Sequence, residues 1–192
     1  MRAAALVARR CRAPVAEPAV LDAGPFGRWL DDVRAAIRGE HDADVACGSC
    51  VGCCSSSQFV HIGPEESSPL AHIPAELLFP APGMRKGTMV MGYDDSGRCP
   101  MLGEAGCTIY DHRPRTCRTY DCRVFPAAGV FPEEPEKALV AQRARRWEFQ
   151  HPSPADRARH DVVLAVAVTL RSQHPDVPAT PLAVRAVSVA NA

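Results

Sequence analysis

The chain has 192 residues, 46% of them hydrophobic and 23% charged, which is typical of a globular protein with a core and not of a disordered chain. Its 22 basic and 22 acidic residues cancel, and this argues against a general polyanion binder, whose affinity comes from neutralising phosphates. The longest strongly apolar run, 162–170, is far short of the about 20 residues that cross a bilayer, which excludes an integral membrane protein.

The N-terminal segment 1–24 is rich in Ala, Pro and Arg and is predicted to be a flexible tail. Its short apolar run is followed at once by Arg9 and Arg10, which does not fit a secretory signal peptide, so we expect a cytoplasmic protein. An amphipathic helix ending near Gly39 is predicted next. Its apolar residues recur at helical spacing, namely Phe26, Trp29, Leu30, Val33 and Ile37.

The middle of the chain predicts short elements separated by turns. A short strand and a turn are expected in 55–66, and at most a short helix in 70–79, since Pro69 and Pro74 interrupt that pattern. A strand over 88–93 leads to a turn at 94–97, and a second brief strand is expected to carry Cys99. The Arg113-Pro114 step allows a short helix that starts at Pro114.

The C-terminal third is predicted to be helical. One helix is expected over 134–149, with Leu139, Val140, Ala144 and Trp147 toward the core. Ser153 and Pro154 are predicted to cap a second helix that runs to Leu170, and a last short helix is expected over 181–189. The predicted fold is therefore α+β, a small helical domain with a short β-hairpin and irregular loops. We expect a cysteine-cluster domain over 25–126, and a helical extension over 127–192 that packs on it.

Cysteine is the informative residue type. Eight of the nine cysteines fall between positions 47 and 122, and Cys11, which lies apart from them, is expected to be a spare thiol. Because a reducing cytoplasm disfavours disulfides, clustered cysteines there more often bind metal or do redox chemistry. The candidate metal ligands are Cys47, Cys50, Cys53, Cys54, Cys99, Cys107, Cys117 and Cys122.

The first four candidates lie in the octapeptide CGSCVGCC. Two residues between cysteines let a tight turn direct both sulfurs at one ion, and Gly48 and Gly52 let backbone N–H groups approach the sulfurs. Adjacent Cys53 and Cys54 cannot easily bridge, because a disulfide needs Cα atoms further apart than neighbours are. We expect one of the pair to face a first site, and the other to face a second site or the core.

The last four candidates are spread over 99–122, so each can supply a ligand from a different loop. Four early and four late cysteines suit two tetrathiolate sites, or one site with thiols to spare. The segment 107–123 carries four Arg against two Asp, and this positive excess is expected to offset the charge of a thiolate site. The four basic residues are Arg113, Arg115, Arg118 and Arg123.

These motifs resemble the YkgJ-type cysteine-cluster proteins, whose CxxCxxCC domain is proposed to chelate zinc or iron. The resemblance covers about residues 45–125. It rests on CGSCVGCC, then CPML, then CTIYDHRPRTCRTYDC, and so includes the Cys-Pro, Ile-Tyr, Arg-Pro and Cys-Arg steps of the family pattern. It implies a chelating domain and specifies no reaction.

The sequence leaves the metal open. An iron–sulfur cluster, of the [4Fe–4S] kind, is favoured by the CxxCxxC spacing and by Cys99 beside a Pro. Zinc is favoured by Cys-x2-Cys pairs, and a zinc-stabilised interaction or regulatory module is a further reading. A metal-free thiol redox protein is the third. No motif of a hydrolase or kinase is present, so a metal-binding module is expected rather than an enzyme of those classes.

Two other features are assigned no site. With eight thiols available, His61 and His112 are not needed as ligands. The basic stretch from Arg143 to Trp147 could contact nucleic acid, but a solvated helix face with a buried Trp explains it, so we expect no nucleic-acid partner and no membrane partner. The expected partner is a metal ion or cluster.

Overall fold

The computed structural model describes residues 19–43 and 45–190, and Cys11 and the expected tail over 1–18 lie outside this part. This part of the chain is 46% helical and 13% strand, which confirms the predicted α+β class. The helices in the described part are α1 Phe26–Arg38, α2 Ser67–His72, α3 Arg115–Arg118, α4 Val124–Ala128, α5 Ala138–Ala144, α6 Pro154–Gln173 and α7 Ala179–Val189. The strands are β1 Leu21–Pro25, β2 Val60–Ile62, β3 Leu78–Pro80, β4 Met89–Met91, β5 Leu102–Gly103, β6 Gly106–Cys107 and β7 Trp147–Gln150.

Helix α1 confirms the helix predicted from apolar spacing. It buries Phe26, Trp29, Leu30 and Val33 on one face. It ends at Gly39, which has a φ of 88° and donates its N–H to Ala36 O at 3.0 Å. This left-handed conformation strains residues that carry a Cβ, so glycine sets the end of the helix.

Strands β1 and β7 correct two expectations. Residues 21–24 were expected in the tail and 147–149 in a helix, yet they pair as parallel strands with Leu21 opposite Trp147. The helix expected over 134–149 instead consists of a 3-10 turn at Pro135–Lys137 and α5, which ends at Ala144. Pairing with a strand more than 120 residues away decides the conformation of 147–150, and no local pattern reveals such a partner.

Helix α5 buries the expected side chains with one exception. Val140 and Ala144 are buried, as is Trp147 just beyond the helix, whereas Leu139 is 49% exposed. The expectation for Leu139 was wrong because α5 contacts the 3-10 turn at Cys53–Ser55, and it is the backbone of Leu139 that faces Gly52. The side chain therefore stays at the surface.

The three-stranded sheet has the order β2-β4-β3, with antiparallel neighbours. The turn predicted at 94–97 is confirmed, since Gly97 N–H donates to Asp94 O at 2.9 Å. The second strand expected at Cys99 does not form. Because β4 is already paired on both sides, the segment after the turn cannot form a hairpin with it. Cys99 lies in a loop before the small β5–β6 hairpin.

Helix α6 begins at the predicted cap. The Ser153 hydroxyl accepts from Asp156 N–H at 3.1 Å, and the Asp156 carboxylate accepts from Ser153 N–H at 3.1 Å, a reciprocal capping box. The helix continues three residues past the predicted end at Leu170, and α7 starts two residues before the predicted position 181.

The apolar side chains form two separate clusters. The main core is formed by helices α1, α4, α6 and α7 and by strands β1 and β7. Helices α1 and α4 therefore share it with the C-terminal helices α6 and α7. The second core lies under the three-stranded sheet and consists of Val60, Ile62, Ile73, Met91 and Ile109. Among the described helices, none combines the length and the apolar character that crossing a membrane requires.

Candidate metal centre

The first cysteines lie on the tight turn that their spacing predicts. Cys50 N–H donates to Cys47 O at 3.0 Å, and Gly48 at the turn has a φ of 58°. Gly52 N–H approaches Cys50 Sγ at 3.4 Å, which is the N–H···S contact expected of glycines in this motif. The turn therefore presents a backbone N–H group to a candidate sulfur ligand.

Cys53 and Cys54 occupy one 3-10 turn, Cys53–Ser55. Their Sγ atoms are 3.9 Å apart and unbridged, as predicted, and all eight cysteines of the described part are free. Cys54 O accepts a hydrogen bond from Cys99 N–H at 2.7 Å. This bond ties the end of the first motif to the loop that holds the first of the late cysteines.

Three late cysteines lie against the second core. Cys99 precedes the small hairpin, Cys107 ends strand β6, and Cys117 lies in α3, directly after Pro114 caps that helix. All three pack on the apolar cluster under the sheet. Three segments that are separate in the chain thus bring thiols to one side of the molecule.

Cys122 belongs to the main core instead. Its Sγ accepts a hydrogen bond from Trp147 Nε1 at 3.3 Å in a buried environment. The neighbouring Asp121 carboxylate is buried as well, and it accepts from Trp29 Nε1 at 2.9 Å and from the Arg123 guanidinium at 2.8 Å. Cys122 is therefore held by Trp147, a side chain that lies outside the cysteine motif.

Arg143 connects the first turn to Cys122. It is 6% exposed and donates to Ala46 O at 3.0 Å and to Cys47 O at 3.2 Å. Its guanidinium also lies over the Trp147 ring, 5.2 Å from the centroid. The expectation of a solvated helix face was wrong for Arg143 and correct for buried Trp147. Arg143 is buried because it satisfies the carbonyls of the cysteine turn.

Three of the four arginines near the late cysteines bind groups other than thiols. Arg115 donates to Ala36 O at the end of α1, Arg118 pairs with Asp42 at 3.2 Å, and Arg123 pairs with Asp121 at 2.8 Å. Arg113 is different, because its positive charge favours the thiolate form of cysteines from both halves of the motif, against the larger effect of burial. These are Cys47, Cys54, Cys107 and Cys117.

Burial dominates the ionisation of most thiols. It raises the pKa of Cys117 and of Cys122 to about 12 each, and it also raises the pKa of Cys47, Cys99 and Cys107. An apolar surrounding disfavours a charged sulfur. These side chains become stable thiolates only where a cation compensates the charge, as a bound metal does.

The adjacent pair behaves differently. The hydrogen bond between the two sulfurs raises the pKa of Cys53, with burial adding to it, and lowers the pKa of Cys54 to about 7, with Arg113 contributing. Cys54 is therefore the thiol of the pair that carries negative charge most readily.

Within the described residues, no ring nitrogen of His61 or His112 is bonded to a cysteine. His61 is exposed, and its backbone oxygen accepts from Thr116 Oγ1 at 2.6 Å. His112 Nδ1 lies 2.9 Å from Ser68 Oγ, and its ring stacks on His72 at a centroid distance of 3.6 Å.

The donor chemistry fits a thiophilic metal, since eight free thiols, two of them on a preformed turn, are the ligands that zinc and iron–sulfur clusters take. Over residues 19–43 and 45–190, no three His, Cys, Asp or Glu side chains are already gathered into a group able to hold an ion. Binding would therefore have to draw sulfurs together.

Sequence reasoning missed three side chains that support the centre: Asp121, Arg143 and Trp147. Asp121 could have been singled out, because an acidic residue directly before a candidate ligand is out of place in an Arg-rich segment. The contacts of Arg143 and Trp147 with the motif left no signal in the sequence, since they depend on tertiary packing.

The CxxCxxCC family model, described as "Putative zinc- or iron-chelating domain", matches residues 46–143, which is just over half of the chain. No curated protein matches the chain, and no solved structure does. The matched region begins one residue before Cys47 and ends on Arg143, so it contains all eight candidate ligands and the arginine that holds the first turn. The chain therefore belongs to the CxxCxxCC family of zinc- or iron-chelating domains.

Proposed function

We propose that this protein binds iron as an iron–sulfur cluster through its eight clustered cysteines. The observation that carries the proposal is that these thiols are free, that Cys47 and Cys50 lie on a preformed turn, and that a backbone hydrogen bond ties Cys54 to Cys99. The CxxCxxC spacing of this turn with Cys53 is typical of cluster ligation, as is a remote cysteine followed by proline, here Cys99. Family membership supports metal chelation in general.

The charges around the thiols support the same function. Four thiolates around one zinc ion or one oxidised four-iron cluster leave a net charge of about −2. Arg113 acts on thiols of both halves of the motif, and buried Arg143 lies against the Cys47 turn. A bound cluster supplies one-electron chemistry or structural cross-linking, and the two arginines stabilise the thiolate charge that either use requires.

Structural zinc is the second candidate. The hydrogen-bonded Cys47–Cys50 turn also suits one corner of a tetrahedral zinc site. Among the described residues, the second core has only five buried apolar residues. A structural zinc contributes about 10–16 kcal/mol, comparable to the whole net stability of a domain, about 5–15 kcal/mol. In this case the metal holds the fold, and the function lies in a surface that binds a partner.

The deciding experiment is anaerobic purification followed by measurement of iron, zinc and acid-labile sulfide per chain, with a visible spectrum. We expect a brown protein that contains iron and sulfide in equal amounts. A colourless protein with stoichiometric zinc would reject the cluster in favour of zinc. A protein free of metal, with a reactive thiol at Cys54, would reject chelation in favour of thiol redox chemistry.

A matched pair of variants tests the ligands. Replacing Cys50 and Cys117 together by Ser removes one thiol from each half of the motif and is expected to abolish stable metal binding. Replacing Cys11, outside the motif, is expected to leave the metal content unchanged. Full metal content in the Cys50→Ser/Cys117→Ser protein would show that the motif thiols are not the ligands.

A further inference from the structure

We propose that the eight cysteines form two separate metal centres, each with four thiols. The first set is Cys47, Cys50, Cys53 and Cys122. The second set is Cys54, Cys99, Cys107 and Cys117. This division rests on the proposed function, thiolate chelation, and adds to it the number of centres and the ligands of each.

The first set is defined by a continuous chain of contacts across the main core. Arg143 holds the carbonyls of Ala46 and Cys47 at 3.0 and 3.2 Å and lies over the Trp147 ring. Trp147 in turn donates its indole N–H to Cys122 Sγ at 3.3 Å. Two side chains thus fix the early turn and the last cysteine of the motif on the same side of the molecule.

The second set is defined by the second core. Cys99, Cys107 and Cys117 come from three different segments, and all three pack against the apolar cluster under the three-stranded sheet. Cys54 joins them through its backbone oxygen, which accepts from Cys99 N–H at 2.7 Å. Cys122 lies in the other cluster, so the apolar packing separates the late cysteines into three and one.

The two sets meet at the adjacent pair. Cys53 and Cys54 have sulfurs 3.9 Å apart. The backbone bond to Cys99 assigns Cys54 to the second set, which leaves Cys53 as the fourth thiol of the first set. Since the first set is built on the main core and the second on the sheet, losing the ligands of one set should leave the scaffold of the other intact.

The test compares two double variants of the full chain under anaerobic conditions. Cys47→Ser/Cys50→Ser removes half of the first set, and Cys99→Ser/Cys107→Ser removes half of the second. Iron, zinc and sulfide per chain are measured with native mass spectrometry, and circular dichroism checks that the helices persist. We expect each variant to keep half of the metal of the unaltered protein and the combined variant to keep none.

The outcomes separate this inference from the proposed function. If either double variant loses all of the metal, the division into two centres is wrong while chelation stands. If neither loses any, the motif thiols are not the ligands and both proposals fail. An unaltered protein that binds no metal would overturn both.

A milder variant guards against misfolding. Trp147→Phe keeps an aromatic ring at this position but removes the indole N–H that donates to Cys122. It is expected to change the spectrum of one centre only. A change in the spectral features of both centres, or no change in either, would contradict the assignment of Cys122 to a separate centre.

Discussion

The buried ion pair beside Cys122 provides the sharpest test of how the main core supports the site. The Asp121 side chain is 1% exposed and that of Arg123 is 13% exposed. The carboxylate accepts from the backbone N–H of Arg123, from Nε and Nη2 of its guanidinium, and from Trp29 Nε1. In Asp121→Asn the side chain keeps its size but loses the negative charge that pairs with the guanidinium of Arg123.

The magnitude follows from this burial. Removing one partner of a buried pair costs about 3–5 kcal/mol, because the remaining charge is left uncompensated in a poorly polar surrounding. An exposed pair would cost about 0–1 kcal/mol. Since a domain has a net stability of about 5–15 kcal/mol, Asp121→Asn is expected to remove a large fraction of the free energy of unfolding.

The assay is urea denaturation of four proteins at equal metal content: the unaltered chain, Asp121→Asn, Arg123→Met, and the double variant. Because the double variant removes both charges, we expect it to be more stable than the sum of the single losses predicts, by about 1–3 kcal/mol. A loss below about 1 kcal/mol in Asp121→Asn, or strict additivity in the double variant, would refute the reasoning.

Two further predictions concern the scaffold. The His160 ring stacks on Phe26 at a centroid distance of 4.1 Å, and its Nδ1 lies 2.8 Å from His151 Nε2; burial, and then the charge of His151, lower the pKa of His160. The unfolded chain therefore binds this proton more readily, so stability is present above about pH 6.5 and is lost as the pH falls below it. The measurement is urea stability at pH 7.5 and pH 5.5, and His160→Gln should reduce the difference whereas exposed His174→Gln should not. Ser153→Ala removes the cap of α6 and should cost about 1 kcal/mol, a fall of about 2–4 °C in melting temperature. Asp156→Ala should cost more, because this carboxylate also accepts from Gly27 N–H at 2.9 Å; equal losses in the two variants would contradict the contact with α1.

Local patterns predicted the elements that depend on nearby residues. Helix α1 follows from apolar spacing and ends at a glycine with positive φ. Helix α6 follows from the serine cap, and the turn at 94–97 follows from its Asp-Asp-Ser-Gly sequence. In each case the deciding interaction spans only a few residues, so the sequence contains the whole signal.

The predictions that were wrong concern segments whose conformation depends on a partner distant in the sequence. Residues 147–150 form a strand because β1 lies alongside them. Cys99 lies in a loop because β4 already has two partners. Arg143 is buried because the Cys47 turn offers it two carbonyls. None of these partners lies close in sequence to the residue whose conformation it decides.

The sequence by itself determined the family to which the chain belongs and singled out the eight thiols proposed as ligands, because thiols at these spacings form a chemical signature that needs no coordinates. Only the tertiary structure decided how the thiols are distributed. The apolar packing places Cys122 in the main core and Cys99, Cys107 and Cys117 on the second core. The physical reason is that a thiol's neighbours depend on which apolar cluster buries its segment, and that is fixed by contacts between residues far apart in the chain.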